Sequence, residues 1–180
     1  MAAYLDIICS FVIGALLLLN VQRMNATLVE RTYKGGNEYI AQSNATVLSE
    51  VLTNDLQRIG YGVTGVKITA ADSTRLTFRA DLDRNGTPDS LRYILGGYVP
   101  RTTNPRDRLL SRLRNAETPD SLSQGVTGFK FTYYDSSGAT TATLSAIKGI
   151  QADITVESTA PYDTSYAKSF VRVKVWPKNL

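Results

Sequence analysis

Nine residues in the middle of the chain, Asp81 to Asp89 (DLDRNGTPD), carry its densest oxygen chemistry. They match the opening positions of a calcium loop, D-x-D-x-N-G-x-x-D. Calcium takes about six to eight oxygens, and alternate side chains on a tight turn converge on one point. Asp81, Asp83 and Asn85 would supply side-chain oxygens, Thr87 a carbonyl, and Asp89 a direct or water-mediated contact, with Gly86 allowing the sharp bend. Arg92 stands where such loops place a bidentate Glu, and the flanking patterns are strands rather than helices. The same residues also read as a polar hairpin turn built on Asn85-Gly86, which needs no metal. Calcium is therefore the one cofactor the sequence suggests, and none is required.

Little else could do covalent chemistry. There is no histidine, which removes the usual general base, the usual metal ligand and every Ser-His or Cys-His arrangement. The one cysteine, Cys9, lies inside an apolar run, so no disulfide joins two parts of the chain. Carboxylate pairs remain, and the pattern places no two in one cleft, so an enzyme is not expected. Positive charge concentrates at Arg101, Arg106, Arg108, Arg112 and Arg114, a run that suits DNA, anionic lipid or an acidic patch on a neighbouring subunit. No aromatic residue interrupts it, so base stacking there is unsupported. A solvated loop face or a subunit contact is the favoured reading. The net charge of +4 suits surface solubility, and no specific nucleic-acid partner is expected.

The elements that must position these groups begin with the first third of the chain. Residues 1–59 read as one long helix with an apolar front and an amphipathic rear. Residues 1–20 carry a single charge, Asp6, and 7–19 are uncharged and apolar apart from Ser10, short for a free-standing membrane span of about 20. No basic residue precedes that run and no A-x-A site follows it, so the segment reads as retained rather than cleaved. Val21, Met24 and Leu28 continue one stripe, and Ile40, Val47, Val51, Leu52, Leu56 and Ile59 resume it at helical spacing. Gly35 and Gly36 interrupt it. At about 1 kcal/mol each against Ala, they predict a kink, a melted turn or a break. If unbroken, the helix is a rod of about 90 Å, too long for its own domain to bury. Lipid or other copies of the chain must cover its front half.

After Ile59 the pattern turns to short strands between turn residues, with Gly60 placed as a left-handed helix cap. Strands are expected over 66–70, 75–80 and 91–95, the last two paired as a hairpin, with 106–114 an edge strand or a short helix. A central strand is expected over 124–135, and 141–144, 147–157 and 169–176 complete the set, with 158–168 a loop. The fold class is α+β: a long N-terminal helix over 1–59, then an antiparallel β-sheet head over 60–180.

These segments carry a resemblance. A long helix with an apolar front half and a β-rich head on one chain resembles the type IV pilins and the pseudopilins of type II secretion. The head resembles the minor pilin group PilW and its pseudopilin relative GspJ, through LTNDLQRIGY (52–61), residues 76–95 with their acidic turn DLDRNGTPDSLRYIL, GVTGFKFTYYDSSG (125–138) and the closing 147–177. The match covers most of the chain through loose patterns. It implies that assembly runs through the front of the helix, at Met1, Asp6, Phe11, Gly14 and Leu17. Members of that family carry a short basic leader, cleaved before the mature first residue, and no Lys or Arg is visible from Met1 to Leu5. With Met1 as the mature first residue, Gly14 falls where many pilins also carry Gly. The family's glutamate near the amino terminus is replaced by Leu5, and Asp6 stands one residue late. Asp6 either neutralises the ammonium of Met1 in an adjacent copy, where an unpaired charge is costly, or marks the membrane interface of an anchor.

The resemblance implies a structural subunit of an extracellular, type IV pilus-like helical filament. Such a subunit forms a homo-oligomer through its N-terminal helices, rests in the inner membrane before assembly, and is handled by pilus or secretion machinery. A minor or tip pilin or pseudopilin that primes assembly is the alternative. A monomeric, membrane-anchored, calcium-binding adhesin is a third.

Overall fold

The computed structural model describes residues 2–100, 102–115, 117–122 and 125–180. Helix α1 spans Ala2–Gln57, 56 residues, or about 84 Å of rod. It runs through Gly35 and Gly36 without the expected break. The chain has no proline before Pro88 to stop it, and a helix that is already nucleated gains one hydrogen bond per added residue, which offsets the glycine cost. Local supports flank the pair. Lys34 meets Glu30 at 2.6 Å one turn back, and the Thr32 hydroxyl donates to the Leu28 carbonyl at 2.9 Å. The loop before the last strand also grips this turn: the Tyr33 and Tyr162 rings lie 5.9 Å apart, and Asn37 Nδ2 donates to the Ala160 carbonyl at 3.3 Å.

A Cβ at Gly35 or Gly36 meets nothing within 4 Å. Each Gly→Ala change should therefore slow local opening of the turns around them by about fivefold. Amide hydrogen exchange on the detergent-solubilised chain measures this; unchanged exchange would mean that the glycines are not the weak point of the rod.

The buried stripe of α1 begins only at Ala41 and runs through Ala45, Leu48, Leu52 and Leu56, with Ile59 just beyond the helix. Two residues of the expected stripe face outward instead, Ile40 at 50% and Val47 at 45% exposure. Small alanines, which pattern-reading undervalues, occupy the close contacts. Gly60 ends the helix as expected, at φ 77°, and an added Cβ there would sit 2.8 Å from the Asn179 carbonyl oxygen. Its amide donates to the Arg79 carbonyl at 2.9 Å, pinning the helix end to a strand.

The fold is the expected α+β arrangement, and the head comprises two antiparallel sheets. The first orders β1 (Ile68–Ala71), β2 (Arg75–Ala80), β3 (Asp89–Tyr98), β4 (Arg108–Arg114) and β5 (Asp120–Ser121) side by side. The second orders β6 (Val126–Tyr134), β7 (Gly149–Glu157) and β8 (Lys168–Val175). The β2–β3 hairpin holds the expected faces: Leu76 pairs Tyr93 and Phe78 pairs Leu91, all fully buried. Within 106–114 the strand is Arg108–Arg114, and the two-residue β5 pairs with Ser111 and Arg112 on its outer side, so β4 is not the outermost strand. The strand expected to be central, β6, is an edge, and β7 is the centre. Alternation of apolar and polar residues reports one packed face, and an edge strand satisfies it as well as a central one. Residues 141–144 form no strand; a single 3-10 turn, Leu144–Ala146, lies there.

The end of α1 packs against β7 and β8. The sheets are tied where the Phe131 amide donates to the Ser73 carbonyl at 2.8 Å and the Tyr133 hydroxyl donates to the Asp72 carbonyl at 2.8 Å. One core cluster runs continuously through the helix end and both sheets.

Candidate functional site

Two regions carry the candidate residues, the projecting half of α1 and the acidic turn between β2 and β3. From residue 3 to residue 29 every side chain of α1 is exposed, although the same stretch is long and apolar enough to cross a membrane. Phe11 is 77% and Leu17 62% exposed, and a Cβ on Gly14 would meet open space. The Asp6 carboxylate is exposed and has no charged or hydrogen-bonding partner among the described residues; only its backbone carbonyl is engaged, by the Ser10 hydroxyl at 2.8 Å. Met1 lies outside the described residues. The apolar surface does not stop at Asn20. Met24, Leu28, Tyr33 and Ile40 remain half or more exposed farther along the rod.

The acidic turn gathers its five candidate residues, but around N–H donors. Asp81, nearly buried, accepts from the backbone amides of Asn85 at 3.1 Å and Gly86 at 3.0 Å. Asp83 accepts from the Asn85 amide at 3.2 Å, and Asn85 Oδ1 from the Thr87 amide at 2.7 Å. Asp89 accepts from the Leu82 amide at 3.2 Å and from Asn115 Nδ2 at 2.7 Å. One guanidinium nitrogen of Arg114 lies 2.6 Å from Asp83 and 3.0 Å from Asp89. The left-handed residues are Arg84 and Gly86, so this is a wide loop strapped by Asp81 and not a two-residue turn on Asn85-Gly86, which requires positive φ at both central positions.

As arranged, the donor set does not fit calcium. Arg114 already supplies positive charge between two of the carboxylates, and calcium would have to displace it. Among the described residues no three His, Cys, Asp or Glu side chains are grouped as a metal site.

Burial alone would raise the Asp89 carboxyl, but hydrogen bonds from Asn115, Arg114 and the Leu82 amide outweigh it and hold it below its usual range. A carboxyl that is lower in the folded than in the unfolded chain stabilises the fold fully above the unfolded value, near 3.9, and loses that contribution as pH falls through the folded value. Asp89→Asn should therefore lower the urea midpoint at about pH 7, with the difference from the parent shrinking below about pH 3. A difference that persists undiminished in acid would show that charge is not what Asp89 contributes.

The arginine run does not form the expected solvated face. Alternation along β4 sends Arg112 and Arg114 to the same side, each onto a carboxylate. Arg106 reaches Glu157 at 2.8 Å, and Arg108 donates to the Gly96 carbonyl at 2.9 Å. Arg101 lies outside the described residues. The Arg112 partner is a site that pattern-reading missed: Asp55, buried on α1, accepts from Arg112 Nε at 2.7 Å and Nη2 at 3.2 Å and from the Tyr93 hydroxyl. Burial foremost, then the Asp55 charge, drives the Tyr93 phenol well above its usual range, so it stays a donor at any working pH. The signal was present in the sequence, as a lone carboxylate on the apolar stripe between Leu52 and Leu56.

Compared with family models, with curated proteins and with solved structures, the chain matches none.

Proposed function

We propose that this chain is a structural subunit of a helical filament of the type IV pilin kind. Copies pack through α1 in the filament interior, and the β heads face outward. The observation that carries the proposal is the length of the bare apolar band. Exposed apolar side chains recur from Tyr4 to Ile40, densely to Leu19 and then as a stripe among charged residues, about 55 Å of helix at about 1.5 Å per residue. The hydrocarbon core of a bilayer is about 30 Å thick. Lipid can cover the front of the band before assembly, but the remainder needs protein, and the chain's own head meets the rod at Tyr33. Other copies of α1 are the cover whose length and chemistry match. In such a bundle the Asp6 carboxylate, which has no partner among the described residues, requires a cation from a neighbour.

Electron microscopy of the sheared extracellular fraction, with mass spectrometry of its proteins, tests the proposal. Filaments composed mainly of this chain support it. Filaments holding it only in traces would assign it the priming role of a minor or tip subunit. Recovery solely from the membrane, as a monomer in detergent, would overturn assembly and leave an anchored head domain.

A further inference from the structure

The outer face of the second sheet carries alternating aromatic and cationic side chains that neither the assembly helix nor the core uses. On β8 the outward positions are Phe170, Arg172 and Lys174, and Trp176 follows directly after the strand, while Val173 and Val175 point inward and are buried. Trp176 lies flat on the sheet. A Cβ built at Gly149 on the central strand would fall 2.8 to 2.9 Å from three carbons of the indole, so only glycine lets the ring rest there. The Tyr134 ring stands beside it at 6.3 Å. Lys174 Nζ sits between the two, 3.9 Å from the Tyr134 centroid and 5.7 Å from that of Trp176. With one ring face on the sheet, Trp176 is still 47% exposed.

The rest of the face is held in place. The Tyr134 hydroxyl donates to Gln151 at 3.0 Å, and Gln151 donates to Asp153 at 3.1 Å. Asp153 receives a bidentate pair from Arg172 at 2.7 and 3.3 Å. The Arg172 guanidinium lies 5.6 Å from the Phe170 ring, which is 56% exposed. Lys130 is opposite Asp153 on β6, and Lys168 opens β8. Lys174, Arg172 and Lys130 thus stand with Asp153 between two aromatic platforms six residues, or about 20 Å, apart along an extended strand; Lys168, beyond Phe170, is opposite Glu157, which is already paired with Arg106.

We propose that this face binds single-stranded nucleic acid without sequence preference. The phosphates would track Lys174, Arg172 and Lys130, and bases would stack on Trp176 and Phe170. Exposed rings with cations between them are the combination that single strands need, because every base offers a flat face and every nucleotide a phosphate. A duplex hides its base faces and can use only the charges. A second copy of the chain is a poor occupant. The chain is cationic overall, and the carboxylates Asp83 and Asp89 of its acidic turn are already paired with Arg114. The proposal is independent of whether α1 assembles.

The chain has one tryptophan, so its fluorescence reports this face alone. The full chain in nonionic detergent is titrated with an oligothymidylate of about 20 nucleotides, with a duplex of equal length and with dextran sulfate. Fluorescein anisotropy on the labelled oligonucleotide reads the variants. The oligothymidylate should quench Trp176, and its affinity should fall with salt at a logarithmic slope of about −2 to −3, for three to four neutralised phosphates. Trp176→Ala and Lys174→Ala should each weaken binding about tenfold, while Trp176→Phe stays within about threefold. Melting temperatures identify any variant that has lost its fold; in that case Trp176→Phe and Lys174→Gln carry the comparison. Absence of quenching, equal binding of the duplex, or dextran sulfate binding as tightly with no loss in Trp176→Ala would each overturn the proposal.

Discussion

Leu17→Asp should yield no filaments, while the head of the same protein melts at the temperature of the parent. Leu17 is 62% exposed and sits inside the apolar run, far from Tyr33, where the head meets the rod. Nothing in the head can sense the change. In a bundle of α1 helices the substitution removes about 1.5 to 3 kcal/mol of apolar burial. It also places an ionised carboxylate in low dielectric, which costs several kcal/mol even after relaxation. A combined loss above about 4 kcal/mol per subunit reduces each association step by about a thousandfold. The same carboxylate also opposes membrane residence, by about 2.5 to 3.5 kcal/mol at the centre of a span. Leu17→Ala separates the two effects, because it keeps the segment apolar and removes only packing. Filament yield by electron microscopy, membrane content by fractionation and head melting by circular dichroism form the set of measurements. Normal filaments from Leu17→Asp would sink the assignment of α1 to a filament interior. Membrane insertion with filament loss in Leu17→Ala would place the defect in helix packing itself.

The elements most legible in the sequence are those set by short-range periodicity. Leu76, Phe78, Leu91 and Tyr93 announce a hairpin because an inward face must be apolar at every second residue, and that pairing is present. Gly60 announces a helix end because few other residues take its φ of 77°. What stayed hidden depends on contacts distant in sequence. The local cost of Gly35 and Gly36 is real, but it is countered by cooperative propagation and by a loop more than 120 residues away, through the 123-residue separation of Asn37 and Ala160. Strand composition cannot say that β6 is an edge, since that depends on what pairs beside it. An arginine run predicts a solvated face or a subunit contact because arginines are usually exposed. Arg112 and Arg114 instead meet Asp55 and Asp89, 57 and 25 residues away. The platform under Trp176 requires Gly149 to lie beneath it across a strand pair, a fact with no local trace.

Asp55→Ala should be the most damaging single change in the head. Asp55 is 4% exposed, and its carboxylate is the common acceptor of Arg112 and Tyr93. Its removal leaves the Tyr93 hydroxyl buried without a partner, and it leaves Arg112, whose side chain is only 22% exposed, with only the exposed Asp120 carboxylate 3.6 Å away. Breaking a buried pair by deleting one partner costs about 3 to 5 kcal/mol, a loss that corresponds to a fall of about 10 to 25 °C in melting temperature for a head of this size. Because the triad joins α1 to β3 and β4, the loss should also loosen the last turns of the helix, which hydrogen exchange at Leu52 to Leu56 would register. Replacing both partners with apolar residues is a different experiment. Asp55→Leu with Arg112→Met removes the charges together, and pairs replaced in this way are often neutral or stabilising. The double variant should therefore recover much of what Asp55→Ala loses, leaving mainly the unpaired Tyr93 hydroxyl, and adding Tyr93→Phe should recover part of that. A loss under about 1 kcal/mol in Asp55→Ala would mean that water reaches the triad and that packing alone holds the helix to the head.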